Sequence, residues 1–101
     1  MFVIIYKFKV KNGSEAEFVK YWKLSTEIFV KHQGSLGSRL HKESDNTYIA
    51  YAQWSNEENF NNSGAQLSKR SIKVIERMRN SCNNIEILHR MHCVKDMLIN
   101  N

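Results

Sequence analysis

The sequence lacks proline altogether and contains only two cysteines, Cys82 and Cys93, among its 101 residues. Two cysteines are too few for the disulfide framework that small secreted domains need. No apolar run approaches the roughly 20 residues of a membrane span, and the apolar run at 2–6 is too short for a secretory signal. These absences favour a cytoplasmic protein with reduced thiols and no membrane association.

The composition is that of one folded domain. Hydrophobic residues make up 42% of the chain and charged residues 25%, so we treat residues 1–101 as one unit, with disorder expected only at Asn100–Asn101. The net charge of +5 is spread over several predicted elements. Although Lys69, Lys73 and Arg77 would share one helical face, we expect that face to be solvated and expect no nucleic-acid partner.

Apolar periodicity and turn chemistry predict six elements. Ser14 and Glu17 form a capping box at the start of the first helix, and Gly34 suits its C-terminal cap. Ser55 and Glu58 form a second capping box. The predicted elements are a strand at 2–10, a helix from Ser14 to near Gly34, strands at 36–43 and 47–55 joined by a hairpin at 44–46, a helix interrupted at 61–64 that resumes at about 65–79, and a strand at about 85–95.

This β-α-β-β-α-β order predicts an α+β, ferredoxin-like sandwich. Two helices cover only one face of a four-stranded sheet, and a face left to water should alternate with polar residues. The third strand instead carries Ile49 and Tyr51 on one face and Tyr48, Ala50, Ala52 and Trp54 on the other. A second copy of the chain or a stacked ligand must cover the second face. An RNA ligand is disfavoured because this strand lacks the Lys/Arg-Gly-Phe-Gly-Phe pattern of RNA-recognition modules.

Three segments resemble the antibiotic biosynthesis monooxygenase family. Residues 33–45, Gln-Gly-Ser-Leu-Gly-Ser-Arg-Leu-His-Lys-Glu-Ser-Asp, are similar to the family pattern Gln-Pro-Gly-Phe-Leu-Ser-x-x-Leu-His-x-Ser-x-Asp. Residues 51–60, Tyr-Ala-Gln-Trp-Ser-Asn-Glu-Glu-Asn-Phe, are similar to its strand-to-helix passage. The Ser-x-x-Glu-Phe opening of the first helix also fits. The similarity covers residues 2–60 and fades beyond them.

The resemblance implies a dimeric α/β barrel, a homodimer in which two sheet faces pack together. It also implies a pocket between the sheet and the helices of each subunit for a small aromatic or hydrophobic ligand. Family members that oxygenate phenols or quinols do so without metal or bound flavin, which implies a monooxygenase with no cofactor. The alternative is a non-catalytic member, or one that binds or degrades haem.

Three residues are candidates for catalysis. Trp54 matches a family tryptophan that borders the pocket, although it would equally anchor the strand–helix junction. Tyr6 stands where many members carry an asparagine, and its phenol suits a hydrogen-bond or proton donor better than a base. His41 matches a family histidine, and histidine is the natural proton shuttle among the side chains, but a one-residue change of register decides which face it occupies.

The substrate pocket is expected to be completed by residues from the third strand and both helices. Ala50 departs from the family, whose studied monooxygenases place a substrate-contacting asparagine there. The expected pocket residues are Tyr48, Ala50, Ala52, Phe60 and Trp22.

No metal site is expected. His89 and His92 lie at positions of a strand that point to opposite faces, so they cannot easily hold one ion. Haem degraders of the family use a histidine on the second helix, and that helix has none here. Haem is therefore possible but disfavoured.

Overall fold

The computed structural model describes residues 1–99, so the expectation for Asn100–Asn101 lies outside the described residues. The ferredoxin-like fold is confirmed, with its second helix in two pieces as the sequence predicted. In chain order the elements are β1 (Phe2–Val10), α1 (Glu15–His32), β2 (Ser35–Ser44), β3 (Thr47–Trp54), α2 (Glu57–Asn61), α3 (Lys69–Asn80) and β4 (Cys82–His92).

The four strands form one antiparallel sheet in the order β2-β3-β1-β4. In the central strand pair, β1 and β3, Tyr6 lies opposite Ala50 and Phe2 lies opposite Trp54. We call the helix-covered side of the sheet, which carries these residues, the inner face. The other side, which carries Ile5 opposite Tyr51, is the outer face.

Helix α1 begins and ends where the sequence predicted, but its N-terminal capping box is wrong. The Ser14 side chain makes no capping hydrogen bond, and the Glu17 carboxylate accepts instead from Arg77 Nη2 at 3.0 Å. The Glu15 carboxylate ties this end of the helix to the β2–β3 hairpin by accepting from the Asn46 backbone N–H at 2.8 Å. At the other end Gly34 has φ +80°, the left-handed backbone that favours glycine after a helix.

The second capping box is also wrong, by one residue. Asn56 caps α2 by accepting from the Asn59 backbone N–H at 2.7 Å, while Ser55 Oγ donates to the Gly34 carbonyl at 3.1 Å. The later helix starts at Lys69 rather than near residue 65. Positive φ angles of 96° at Gly64 and 58° at Gln66 keep this segment out of the helical region.

Single-residue bulges change the alternation of faces along β4. Ile5 pairs with His89 and Tyr6 with Ile87, which leaves Leu88 as an extra residue. Strict period-two alternation would put His89 and Met91 on the same face as Ile87, but the bulge moves both to the outer face. The strand also starts at Cys82, three residues before the predicted position.

The outer face is apolar at its centre. Val3 is 4% exposed there, and Met91 on β4, which pairs with Val3, is 41% exposed. Ile5, Ile49 and Tyr51 are half-buried on the same face. None of the helices within residues 1–99 has the length and apolar character needed to cross a membrane.

Candidate functional site

A cavity of about 430 Å³ lies between the inner face and the helices. It exists because the layers carry small side chains where they face each other: Ala50 and Ala52 on β3, and Ser25 on α1, all line it. Tightly packed cores leave few voids larger than a water molecule. A space of this size is therefore a binding-site candidate rather than a packing defect.

The cavity separates two clusters of buried side chains. One cluster includes Phe8, Phe18 and Tyr48, and the other includes Phe2 and Trp54. Tyr6 is half-buried and packs against both clusters. The core is thus divided along the strands, and the cavity occupies the space between its two parts.

Trp54 lines the cavity and is fixed by aromatic contacts. Its ring meets Phe29 at a centroid distance of 5.9 Å and Phe60 at 5.6 Å, both edge-on. The residue is 4% exposed, and within the described residues its indole Nε1 has no hydrogen-bond partner. A buried N–H without an acceptor is costly, and this one lies in a residue that lines the cavity.

Tyr6 lines the cavity from the centre of the sheet. Burial raises the pKa of its phenol from 10.0 to about 12, while the positive charges of Arg90 and Arg79 act in the opposite direction. The phenol is therefore protonated at neutral pH and acts there as a hydrogen-bond donor, not as a base.

Ser25 is a cavity residue that the sequence analysis did not identify as one. It lies on α1 between Phe18 and Phe29. The Phe18 ring packs on Tyr48 at a centroid distance of 5.2 Å, and the Phe29 ring packs on Trp54. It is 2% exposed, and its Oγ has no hydrogen-bond partner within residues 1–99. The only sequence signal was a small polar residue within a stripe of aromatic ones.

Charged side chains lie at the rim of the cavity. Glu76 and Arg79 are exposed residues of α3, three positions apart on one helix face, and both contribute to the lining. The Arg90 guanidinium lies over the Phe60 ring at 5.4 Å. In the sequence, Glu76 and Arg79 were indistinguishable from a solvated helix face.

The structure brings most of the predicted site residues together. Two of the three catalytic candidates and four of the five pocket candidates line the same cavity. These lining residues are Trp54, Tyr6, Ala50, Ala52, Phe60 and Trp22.

Two predicted residues lie elsewhere. Tyr48 is on the inner face, but it packs against Phe18 in the core and is not part of the lining. His41 pairs with Ile49 and is exposed on the outer face, because the hairpin register puts it opposite an outer-face residue. His41 is therefore separated from the cavity by the sheet.

Metal and haem donors are not gathered at the cavity. Within residues 1–99 no three His, Cys, Asp or Glu side chains cluster closely enough to hold a metal ion. In the same part of the chain no histidine or cysteine lines the cavity. His89 pairs with Ile5 and His92 with Phe2, so the two lie on opposite faces of the sheet.

Comparisons with known proteins agree with this architecture. The family model described as antibiotic biosynthesis monooxygenase matches residues 1–65. A mutant of SnoaB, a cofactor-independent oxygenase from Streptomyces nogalater, superposes with a TM-score of 0.76 at 21% identity over 95% of both chains.

Two further solved structures carry the same family description. One, from Caulobacter crescentus, has a TM-score of 0.74 at 15% identity over 93% of this chain and 90% of the other. The second, from Nitrosomonas europaea, has a TM-score of 0.74 at 9% identity over 94% and 100%. At these identities the structures establish a common fold. No curated protein is similar enough in sequence to count as a match.

Proposed function

The chain belongs to the antibiotic biosynthesis monooxygenase family, and from this we propose that it is a monooxygenase for a small aromatic substrate of the phenol or quinol type, working without metal or bound flavin. The observation that carries the proposal is the cavity itself, which is walled by aromatic rings and lined by two buried polar groups that have no hydrogen-bond partner within residues 1–99. Such a site suits a flat ring that carries a few oxygen substituents.

The reaction requires little from the protein beyond positioning and proton transfer. An electron-rich phenol supplies all four electrons that dioxygen takes up. One ring carbon exchanges its C–H bond for a carbonyl that holds one oxygen atom, the phenol C–OH becomes the second carbonyl, and the other oxygen leaves as water with the two hydrogens released. A dry cavity orients the ring and keeps water away from reactive intermediates. Tyr6, held protonated by burial, donates a hydrogen bond to a substrate or peroxide oxygen.

Charged residues at the rim complete the proposed site. Arg79 and Arg90 lie close enough to Tyr6 to act on its pKa, so their field also favours the deprotonated, electron-rich form of a bound phenol. Glu76 is the titratable lining residue best suited to accept the proton, since His41 lies on the outer face.

Oxygen uptake with menadiol and anthrone-type substrates tests this proposal. We expect uptake above the protein-free rate, and we expect Tyr6→Phe to lower it at least tenfold because it removes a hydrogen bond needed in the transition state. Tyr21→Phe on α1, outside the cavity lining, is the matched control and should behave as wild type. Uptake no faster than background across the panel would count against an oxygenase.

The second candidate is a family member that binds a hydrophobic ligand without turnover, and the apolar lining supports it equally well. Its haem-binding form is less well supported, because a haem iron is usually held by histidine or cysteine and neither lines the cavity within residues 1–99. A Soret shift on haem titration, with no turnover under reductant, would favour this candidate over the oxygenase.

We further propose that the protein is a homodimer joined through the outer face. Ile5, Ile49 and Tyr51 form an apolar centre there, and no helix of the described chain covers it. Burying this centre against a second copy would remove it from water. Light scattering at micromolar concentration should give twice the mass of one chain.

A further inference from the structure

Two buried polar atoms without partners line one cavity. Trp54 Nε1 and Ser25 Oγ are the buried side-chain nitrogen and oxygen atoms that lack a hydrogen bond within the described residues. Each belongs to a side chain at least nine-tenths buried that lines the cavity. Folded proteins satisfy the great majority of such groups, so two exceptions in one cavity call for a common cause.

The chemistry of the two groups differs. An indole N–H only donates, so Trp54 requires an acceptor such as a carbonyl or ether oxygen. A serine hydroxyl both donates and accepts, so Ser25 pairs with either a hydroxyl or a carbonyl. A ligand that satisfies both therefore carries at least two oxygen functions, and at least one of them must accept.

The two groups reach the cavity from different layers of the fold. Trp54 comes from β3 in the sheet, and Ser25 comes from α1 in the helix layer. A ligand that lies between the layers therefore meets one polar group from each layer, and a separate oxygen function pairs with each.

We infer that Ser25 is a specificity-determining residue, whose hydroxyl together with the Trp54 indole N–H selects a flat ligand bearing two oxygen functions. This inference rests on the proposed function and narrows its substrate class to ring systems with an acceptor oxygen for the Trp54 N–H and a hydroxyl or carbonyl for Ser25. A plain hydrocarbon leaves both groups unpaired and binds more weakly, by about tenfold for each missing hydrogen bond.

Binding of three stable probes to the full chain tests the inference without any turnover. The probes are tetralin, alpha-tetralone and an alpha-tetralone hydroxylated on the far ring, which add no, one and two oxygen functions to one skeleton. Wild-type affinity should rise about tenfold at each step. Ser25→Ala should lose the gain in affinity that the hydroxyl brings and keep the gain that the carbonyl brings. Trp54→Phe should lose the gain in affinity that the carbonyl brings and keep the gain that the hydroxyl brings.

The matched control for Ser25→Ala is Ser81→Ala. Ser81 is also buried, but its hydroxyl donates to the Met78 carbonyl at 2.5 Å and it does not line the cavity. This variant should retain the wild-type order of affinities. The wild-type series tests the inference even if a variant fails to fold.

Different failures have different meanings. Equal wild-type affinity for all three probes, or an unchanged hydroxyl preference in Ser25→Ala, would overturn the role of Ser25 while leaving an aromatic-binding cavity in place. If none of the probes binds, the result refutes both the inference and the ligand-binding role of the cavity on which the proposed function depends. Absence of oxygen uptake together with the expected affinity series would remove only the oxygenase activity.

Discussion

Replacing Ser25 by alanine should make the free protein more stable. The hydroxyl is buried and has no partner in the part of the chain that the structure describes, so its removal relieves a desolvation penalty of about 1 kcal/mol or more. Alanine also favours the helix interior over serine by about 0.5 kcal/mol. Together these terms predict a gain of about 1.5 kcal/mol in the free energy of unfolding, since α1 continues for seven residues beyond this position.

The gain is large enough to measure in a domain of this size. About 1 kcal/mol moves the melting temperature of a small domain by roughly 4–8 °C, so Ser25→Ala should melt about 6–12 °C above wild type. Urea unfolding followed by circular dichroism should give a higher midpoint with an unchanged m-value. Both proteins must be compared at one concentration, because association would make the melting temperature depend on it.

Ser81→Ala should change the free energy of unfolding in the opposite direction. Its hydroxyl donates to the Met78 carbonyl in a buried position, so its loss should cost about 1 kcal/mol. A gain for Ser25→Ala of only about 0.5 kcal/mol would mean that helix propensity accounts for the whole effect. A loss of stability in Ser25→Ala would refute the view that this hydroxyl is unsatisfied in the free protein.

Three further outcomes are expected. Ala50→Leu should fill the cavity and weaken alpha-tetralone binding at least tenfold, while it changes the free energy of unfolding by less than about 3 kcal/mol. The control Ala16→Leu, on the exposed side of α1, should leave alpha-tetralone binding unchanged. Because burial raises the pKa of Tyr6 from 10.0 to about 12, its neutral form stabilises the fold below pH 10 and that contribution is lost as the pH rises through 12. Urea unfolding across this pH range should show that the free energy of unfolding of the wild type falls by about 2–3 kcal/mol relative to that of Tyr6→Phe. Parallel plots of this free energy against pH for the two proteins would contradict the pKa shift. Ile49→Lys should convert the proposed dimer to a monomer in light scattering, whereas Val19→Lys on exposed α1 should not; a dimeric Ile49→Lys would place the interface elsewhere.

The sequence predicted the architecture well because its signals were redundant. Each strand showed apolar alternation over many residues, and hairpin and helix-end signals separated the elements. The local chemistry was predicted less well. Ser14 and Ser55 have the spacing of capping boxes, yet Glu17 is taken by Arg77 and Ser55 by the Gly34 carbonyl. Such competition comes from residues far along the chain, which a local pattern does not contain.

The site was predicted in part for the same reason. Trp54 and Tyr6 lie on strands, where successive side chains alternate between the two faces of the sheet. This two-residue period was enough to predict that both face the same cavity. His41 required the hairpin register, and Leu88 shows how one bulged residue reverses the faces that follow it. The sequence around Ser25 showed only a small polar residue among aromatic ones, since a buried hydroxyl that lacks a partner is recognised only when its neighbours are known.

The division of the core into two clusters has a consequence for how the empty protein opens. Few side chains other than Tyr6 bridge Phe18 and its neighbours to Trp54 and its neighbours, so the two halves have separate pathways of local unfolding. A molecule lodged between them touches both and couples their fluctuations. Amide hydrogen exchange should therefore differ between the two ends of α1 in the empty protein and become uniform when the cavity is filled.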